Sequence, residues 1–410
     1  MTTRRAFVAG SLCSCAYPAF AERVRPAMMQ ALVGPGYRPV DADERGMWQS
    51  IERLDEELGS SNLLLKSPEM QRYVEGVVAR LLGDRARETR VYIVHDPEFN
   101  ASMFPNGMML VHTGLLARLR DEAQLAAVLG HECGHYLRRH SLQGWRDFRR
   151  KTGIMAFVGV GAGVVAGAAA NAGVDPRSWI DLANSINSAL AVSIRQFSRE
   201  NEQEADAYGV RLIEEAGYPP EAAAETWRHY VDERRASARA RDKRYRDRAK
   251  NILSTHPPTA ERMLDLSASA RELEAAATPP RHYDGRRAEW LAAVAPLRAQ
   301  LLDEQIKLND PGASLYLVNA LAQDGWDGTL RYFEGEAYRL RDEPGDAARA
   351  TAAYAQAVAL ADAPPEAWRA NGYALLKSGM PDQGRQSLAR YLARKPDATD
   401  AAMVRFALAQ

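Results

Sequence analysis

Cysteine is almost missing from this chain. It has three in 410 residues. Cys13 and Cys15 fall in a segment that reads as a leader, which leaves Cys133 alone in the remainder. No intrachain disulfide can form there, so an oxidising compartment is permitted but not used for stapling. Net charge is missing too, since 53 basic residues balance 53 acidic ones. That balance removes any global electrostatic attraction to nucleic acid or to an anionic membrane. What is present in ordinary measure is apolar content, 46%, enough to bury a sizeable core in two or three domains.

The N-terminus has the order of an export signal. Arg4 and Arg5 precede a short apolar stretch from Phe7 to Cys15, Pro18 ends any helix, and Ala19-Phe20-Ala21 offers small residues for cleavage. Thr3-Arg4-Arg5-Ala6-Phe7 also fits a twin-arginine signal, although paired arginines occur in Sec signals as well. Lipidation at Cys15 is the alternative fate of this segment, with Cys13 an odd residue in such a site.

Helical periodicity begins near Asp43 with Met47, Ile51, Leu54 and Leu58, and returns from Met70 to Leu82. Val91 to Val94 and Met108 to Val111 read as short strands, the second after the turn-forming Pro105-Asn106-Gly107. Residues 108–111 are the expected edge of the sheet. Asp121 is a good N-cap for the next helix, with Gln124 as its capping-box partner. Another helical pattern runs from about Trp179 to Glu215 and stops at Gly217. Residues 230–250 are dense in charges of both signs and read as a solvated helix face. Beyond a Pro-containing linker the chain is helical, and Tyr354 and Ala357 recur 34 residues later as Leu388 and Tyr391. In the second copy Trp368, Gly372, Leu388 and Pro396 occupy tetratricopeptide positions, and a 34-residue period is that unit's signature.

The chemistry concentrates in His131-Glu132-Cys133-Gly134-His135. Residues four apart share a helix face, so both imidazoles can meet one metal ion. Glu132 is turned about 100° from His131, which puts its carboxylate beside the metal as a general base rather than on it. A metzincin would place a third histidine where Ser141 stands, with glycine at Arg138. His140 is one residue short of that register and reads as structural. The better third ligand lies in Asn201-Glu202-Gln203-Glu204-Ala205-Asp206. Glu202 can ligate, and Asp206, four residues on, can accept the free N–H of a ligating histidine.

These segments, together with Asn100 to Gly107, Thr113-Gly114-Leu115, Ser198 to Asp206, Ala216-Gly217-Tyr218 and Thr255-His256-Pro257, make the chain resemble the BepA-type periplasmic metalloproteases. These are relatives of HtpX and of the CAAX prenyl endopeptidases. The resemblance implies one Zn2+ per chain on His131, His135 and Glu202, with Asp206 behind a histidine. It also implies that His256 takes the fourth zinc position as a switch. Cys133 departs from the usual aliphatic residue; lying about 200° around the helix from His131, it reads as a small core residue.

The uncharged stretch from Gly153 to Ala170 is long enough to suggest a membrane span. One crossing, however, would separate His135 from Glu202 across a bilayer. The expectation is therefore a soluble domain with at most peripheral membrane contact. The architecture expected is mainly α with a small β-sheet. Residues 1–21 are a signal peptide, 22–274 a zincin-type metallopeptidase domain, 275–287 a linker and 288–410 a tetratricopeptide-repeat domain. Two functions follow. One is a periplasmic zinc endopeptidase cleaving misfolded or unassembled polypeptides. The other is a chaperone or assembly factor that binds clients through its repeats. The resemblance implies an outer-membrane protein quality-control setting, with the assembly machinery as a partner.

Overall fold

The computed structural model describes residues 36–152, 197–245 and 260–409. The leader with Cys13 and Cys15, the Gly153–Ala170 stretch and His256 all lie outside the described residues.

Apolar side chains at helical spacing build the first two helices. In α1 (Ala42–Gly59) the stripe of Met47, Ile51, Leu54 and Leu58 is buried, and Asp41 caps the helix by accepting from the Glu44 N–H at 2.8 Å. In α2 (Pro68–Leu82) Ser67 is the cap and Pro68 fills the first turn, where no N–H is needed.

A three-stranded sheet follows, made of β1 (Arg90–Val94), β2 (Ala101–Met103) and β3 (Met108–His112). Its order is β1-β3-β2, with β1 parallel and β2 antiparallel to β3. The turn before β3 depends on Gly107, which sits at φ 85°, and a Cβ there would lie 2.1 Å from the Glu88 carbonyl oxygen. The expected edge strand is thus corrected. Residues 108–111 are central, because β3 is paired on both sides, and β2 is the outer strand on the far side from β1. The physical reason is Ala101–Met103, a strand of three residues, too short to give a readable alternation. It folds back on β3 and covers it.

Helices take over from there: α3 (Thr113–Arg118), α4 (Glu122–Leu137), α5 (His140–Thr152), α6 (Arg199–Glu215), α7 (Ala222–Ala240) and α8 (Ala260–Ala276). Asp121 caps α4 by accepting from the Gln124 N–H at 2.8 Å. The Gln124 side chain reaches one residue further back than a capping box does, accepting from the Arg120 N–H at 2.9 Å.

The C-terminal part is helical throughout: α9 (Arg287–Val294), α10 (Arg298–Lys307), α11 (Pro311–Leu321), α12 (Gly328–Arg341), α13 (Asp346–Val358), α14 (Pro365–Lys377), α15 (Pro381–Arg394) and α16 (Ala401–Ala409). Helices α12 and α13 pack as a pair, as do α14 and α15. Gly335 makes room for the Tyr354 ring, and Gly372 makes room for Leu388. The whole is mainly α with a small sheet, the class expected from the sequence.

The C-terminal helices share the core of the part before them. One apolar cluster runs from Val74 and Val77 through Leu125 and Leu129 to Trp290, Leu301, Leu317 and Phe333. Trp290 is fully buried and donates its indole N–H to the Leu119 carbonyl at 3.0 Å. Glu304 of α10 accepts from the Thr113 hydroxyl at 2.6 Å and lies 2.8 Å from Nδ1 of His95. Among the described residues no helix is long and apolar enough to cross a membrane.

Candidate metal centre

Helices α4 and α6 lie against each other, and glycine is what lets them approach. A Cβ on Gly134 would stand 2.9 Å from the Ala205 carbonyl oxygen, and one on Gly209 would stand 2.8 Å from the His131 backbone nitrogen. Side chains are absent at both crossing points, so the backbones touch and Glu202 is carried up to the two histidines. Gly209→Ala is accordingly expected to force the helices apart. It should cost about 1–3 kcal/mol, as overpacking typically does, and weaken metal binding in step. Thermal denaturation and chelator competition on one preparation measure both effects.

The donor atoms converge. His131 Nε2 and His135 Nε2 are 3.1 Å apart. Glu202 Oε2 is 3.6 Å from the first nitrogen, and Oε1 is 3.5 Å from the second. All three residues are buried and form a group able to hold a metal ion. Two ligands about 2.0–2.1 Å from zinc at tetrahedral angles lie roughly 3.3 Å apart, so these separations fit that ion. Two imidazole lone pairs facing each other at 3.1 Å also repel unless a cation or proton lies between them. Glu132 is buried on the same helix, and its charge bears on Arg262. Cys133 is fully buried in the core, and burial pushes its thiol pKa well above the ordinary value.

Asp206 lies behind His131, with Oδ1 2.9 Å from Nδ1. Burial pushes its pKa up, but the Arg262 guanidinium and the hydrogen bond from His131 outweigh that and hold it at about 2. The carboxylate therefore stays ionised through the physiological range. Arg262, in the first turn of α8, was not singled out by the sequence reading. Its Nε and Nη2 meet the two Asp206 oxygens at 2.5 and 2.6 Å, a two-pronged pairing. Its Nη1 is 3.1 Å from Glu202 Oε2. The guanidinium also stacks over the Trp227 ring at 4.4 Å. One more arginine among 53 basic residues carries no spacing signal. Its one cue was the nearness of Thr255-His256-Pro257.

Residues 64–270, half of the chain, match Peptidase family M48. The chain belongs to this family. The putative beta-barrel assembly-enhancing protease of Vibrio cholerae is 26% identical over 249 residues, covering 59% of this chain and 48% of that protein. The beta-barrel assembly-enhancing protease of Escherichia coli K12 is 26% identical over 221 residues, covering 53% and 42%. The mitochondrial metalloendopeptidase OMA1 of Schizosaccharomyces pombe is 30% identical over 196 residues, covering 47% and 50%. The chain thus spans about half the length of the curated relatives it matches. M48 peptidases are zinc enzymes, and the donor group of His131, His135 and Glu202 is compatible with that metal.

Proposed function

We propose that this M48 protein is a zinc metalloendopeptidase of the cell envelope that cleaves misfolded or unassembled proteins in outer-membrane protein quality control. The observation that carries the reading is the buried convergence of His131, His135 and Glu202 with Glu132 on the same helix. The names of the beta-barrel assembly-enhancing relatives support the setting, and periplasmic residence belongs to the same proposal.

In this reading His131, His135 and Glu202 hold the ion. Zinc, when bound, supplies Lewis acidity that polarises the scissile carbonyl and acidifies water. Glu132 takes the proton of the attacking water and returns it to the leaving amine. Asp206, fixed by Arg262, holds His131 in the tautomer that turns Nε2 toward the ion. Asp206→Asn is therefore expected to weaken zinc affinity or activity by about 10–100-fold, the range of such outer partners. An unchanged affinity and rate would reduce Asp206 to a structural partner of Arg262. His256 is proposed to compete for the fourth zinc position, so His256→Ala should raise basal cleavage of an unfolded substrate. A fall in rate at full zinc occupancy would give His256 a role in stabilising the oxyanion instead.

The paired helices α12–α13 and α14–α15 favour a second reading, an assembly factor that binds clients through tetratricopeptide repeats. The glycine contacts Gly335–Tyr354 and Gly372–Leu388 support that unit, since its small position in one helix receives the large residue of the next. Metal content with a casein-type cleavage assay on purified protein tests the first reading. Cells carrying Glu132→Gln separate the two, because lost function favours the peptidase and retained function favours the assembly factor.

A further inference from the structure

His140 stands five residues after His135, at the start of α5, and is fully buried. Both of its ring nitrogens are engaged. Nδ1 lies 2.9 Å from Nδ1 of His135, and Nε2 lies 2.9 Å from Oε2 of Glu204. The other Glu204 oxygen, Oε1, is 2.6 Å from Nε of Arg138. A continuous line therefore runs from Arg138 through Glu204 and His140 to His135. It ends at Nδ1 of His135, whose other ring nitrogen, Nε2, faces His131 and Glu202.

Proton positions along this line have a single consistent assignment. A neutral imidazole has one N–H and one lone pair. His135 must turn a lone pair on Nε2 toward a metal, so its proton sits on Nδ1. That N–H donates to Nδ1 of His140, which must then carry the lone pair. The His140 proton sits on Nε2 and donates to the Glu204 carboxylate. Reversing either ring would set two N–H groups or two lone pairs against each other at 2.9 Å.

The usual outer partner of a ligating histidine is an oxygen, and His131 has one in Asp206. His135 has a second imidazole instead. The reason lies in helix geometry. Glu204 is two residues from Glu202, about 200° around α6, so it points away from the donor set and needs a bridge to act on His135. His140 is that bridge. The Phe197 ring, stacked on His135 with centroids 3.9 Å apart and planes 28° apart, covers the imidazole face and leaves its edge to the hydrogen bond.

We infer that His140, anchored by Glu204, is a positioning residue that fixes His135 in its Nδ1–H tautomer before zinc arrives. The inference rests on reading His131, His135 and Glu202 as the metal site. Nitrogen NMR on 15N-histidine-labelled protein, with and without zinc, reads the tautomers directly. Chelator competition reads the affinity.

In the zinc-free wild type His135 should be in the Nδ1–H form and His140 in the Nε2–H form. His140→Ala should leave His135 in a mixture of tautomers and weaken zinc binding by about 10–100-fold, with Glu202 and His131 still able to bind. Glu204→Gln keeps size and an acceptor oxygen but loses the charge. It should mix the His140 tautomers and weaken zinc in the same direction, and it carries the test if His140→Ala fails to fold. A folded His140→Ala, or Glu204→Gln, with unchanged tautomers and unchanged affinity overturns the inference. A wild type that takes up no zinc overturns the metal site itself, which is a different and separable failure.

Discussion

Glu132→Gln is expected to bind one equivalent of zinc per chain and to lose most of its cleavage rate. The amide keeps the volume of the carboxylate in a buried site but cannot take a proton, and general-base catalysis typically contributes about 10²–10⁴-fold. The ligand variants should behave in the opposite way. His131→Ala, His135→Ala and Glu202→Ala each remove one of three converging donors and should lose the metal, and activity with it. Metal analysis beside a cleavage assay on the four proteins separates the two patterns. Wild-type affinity in Glu202→Ala would remove Glu202 from the donor set, and cleavage at wild-type rate in Glu132→Gln would remove the base.

The second large effect concerns stability. Arg118→Ala is expected to destabilise the fold by about 3–5 kcal/mol, the usual cost of leaving a buried charge without its partner. Arg118 sits at the end of α3 and is nearly enclosed. Nε donates to Glu233 of α7 at 2.9 Å and Nη2 to the same carboxylate at 2.9 Å. Nη1 donates to the carbonyls of Gly114 at 2.8 Å and Pro97 at 3.1 Å, and Nη2 also reaches the Gln305 side chain of α10. Burial alone would lower its pKa, but Glu233 outweighs that and raises it, so the guanidinium stays charged. One side chain thus ties the sheet's flank, α7 and the C-terminal helices together. Replacing both partners with apolar residues, Arg118→Leu with Glu233→Met, should cost less than Arg118→Ala alone, because no buried charge is then orphaned. Denaturant unfolding measures the series. A loss under 1 kcal/mol in Arg118→Ala would mean that solvent reaches Glu233 and screens it.

Much of the fold was legible wherever one local signal dominated. The α1 stripe, the Asp121 cap and strands β1 and β3 needed only periodicity and turn chemistry, and each appears within a residue or two of its expected position. β2 was not legible. Three residues between Asn100 and Phe104 give no period, and without β2 the order of strands could not be set, so the edge was placed on the wrong strand. Arg262 was missed for a related reason. It reaches Asp206 across 56 positions of chain, and only the packing of α8 against α6 makes them neighbours.

His131 and His135 were readable because a helix puts positions four apart on one face, a property of the backbone that needs no tertiary information. The separation of Glu132 from that face, the capacity of Glu202 and Asp206 to share another, and the core role of Cys133 follow from the same periodicity. Tertiary structure alone decided which face of α4 meets which face of α6 and how closely. Gly134 and Gly209 set that distance, and glycine's contribution is an absence of atoms whose use depends on what fills the space opposite. The sequence placed His140 near His135 but could not say whether their rings met. That depended on the turn between α4 and α5, where Arg139 takes a left-handed φ of 57° and brings α5 back toward Glu204. Periodicity is local and survives in one dimension. Approach distances, hydrogen-bond partners and the shared core of the two halves are pairwise properties of segments far apart in sequence, and they exist only once the chain has folded.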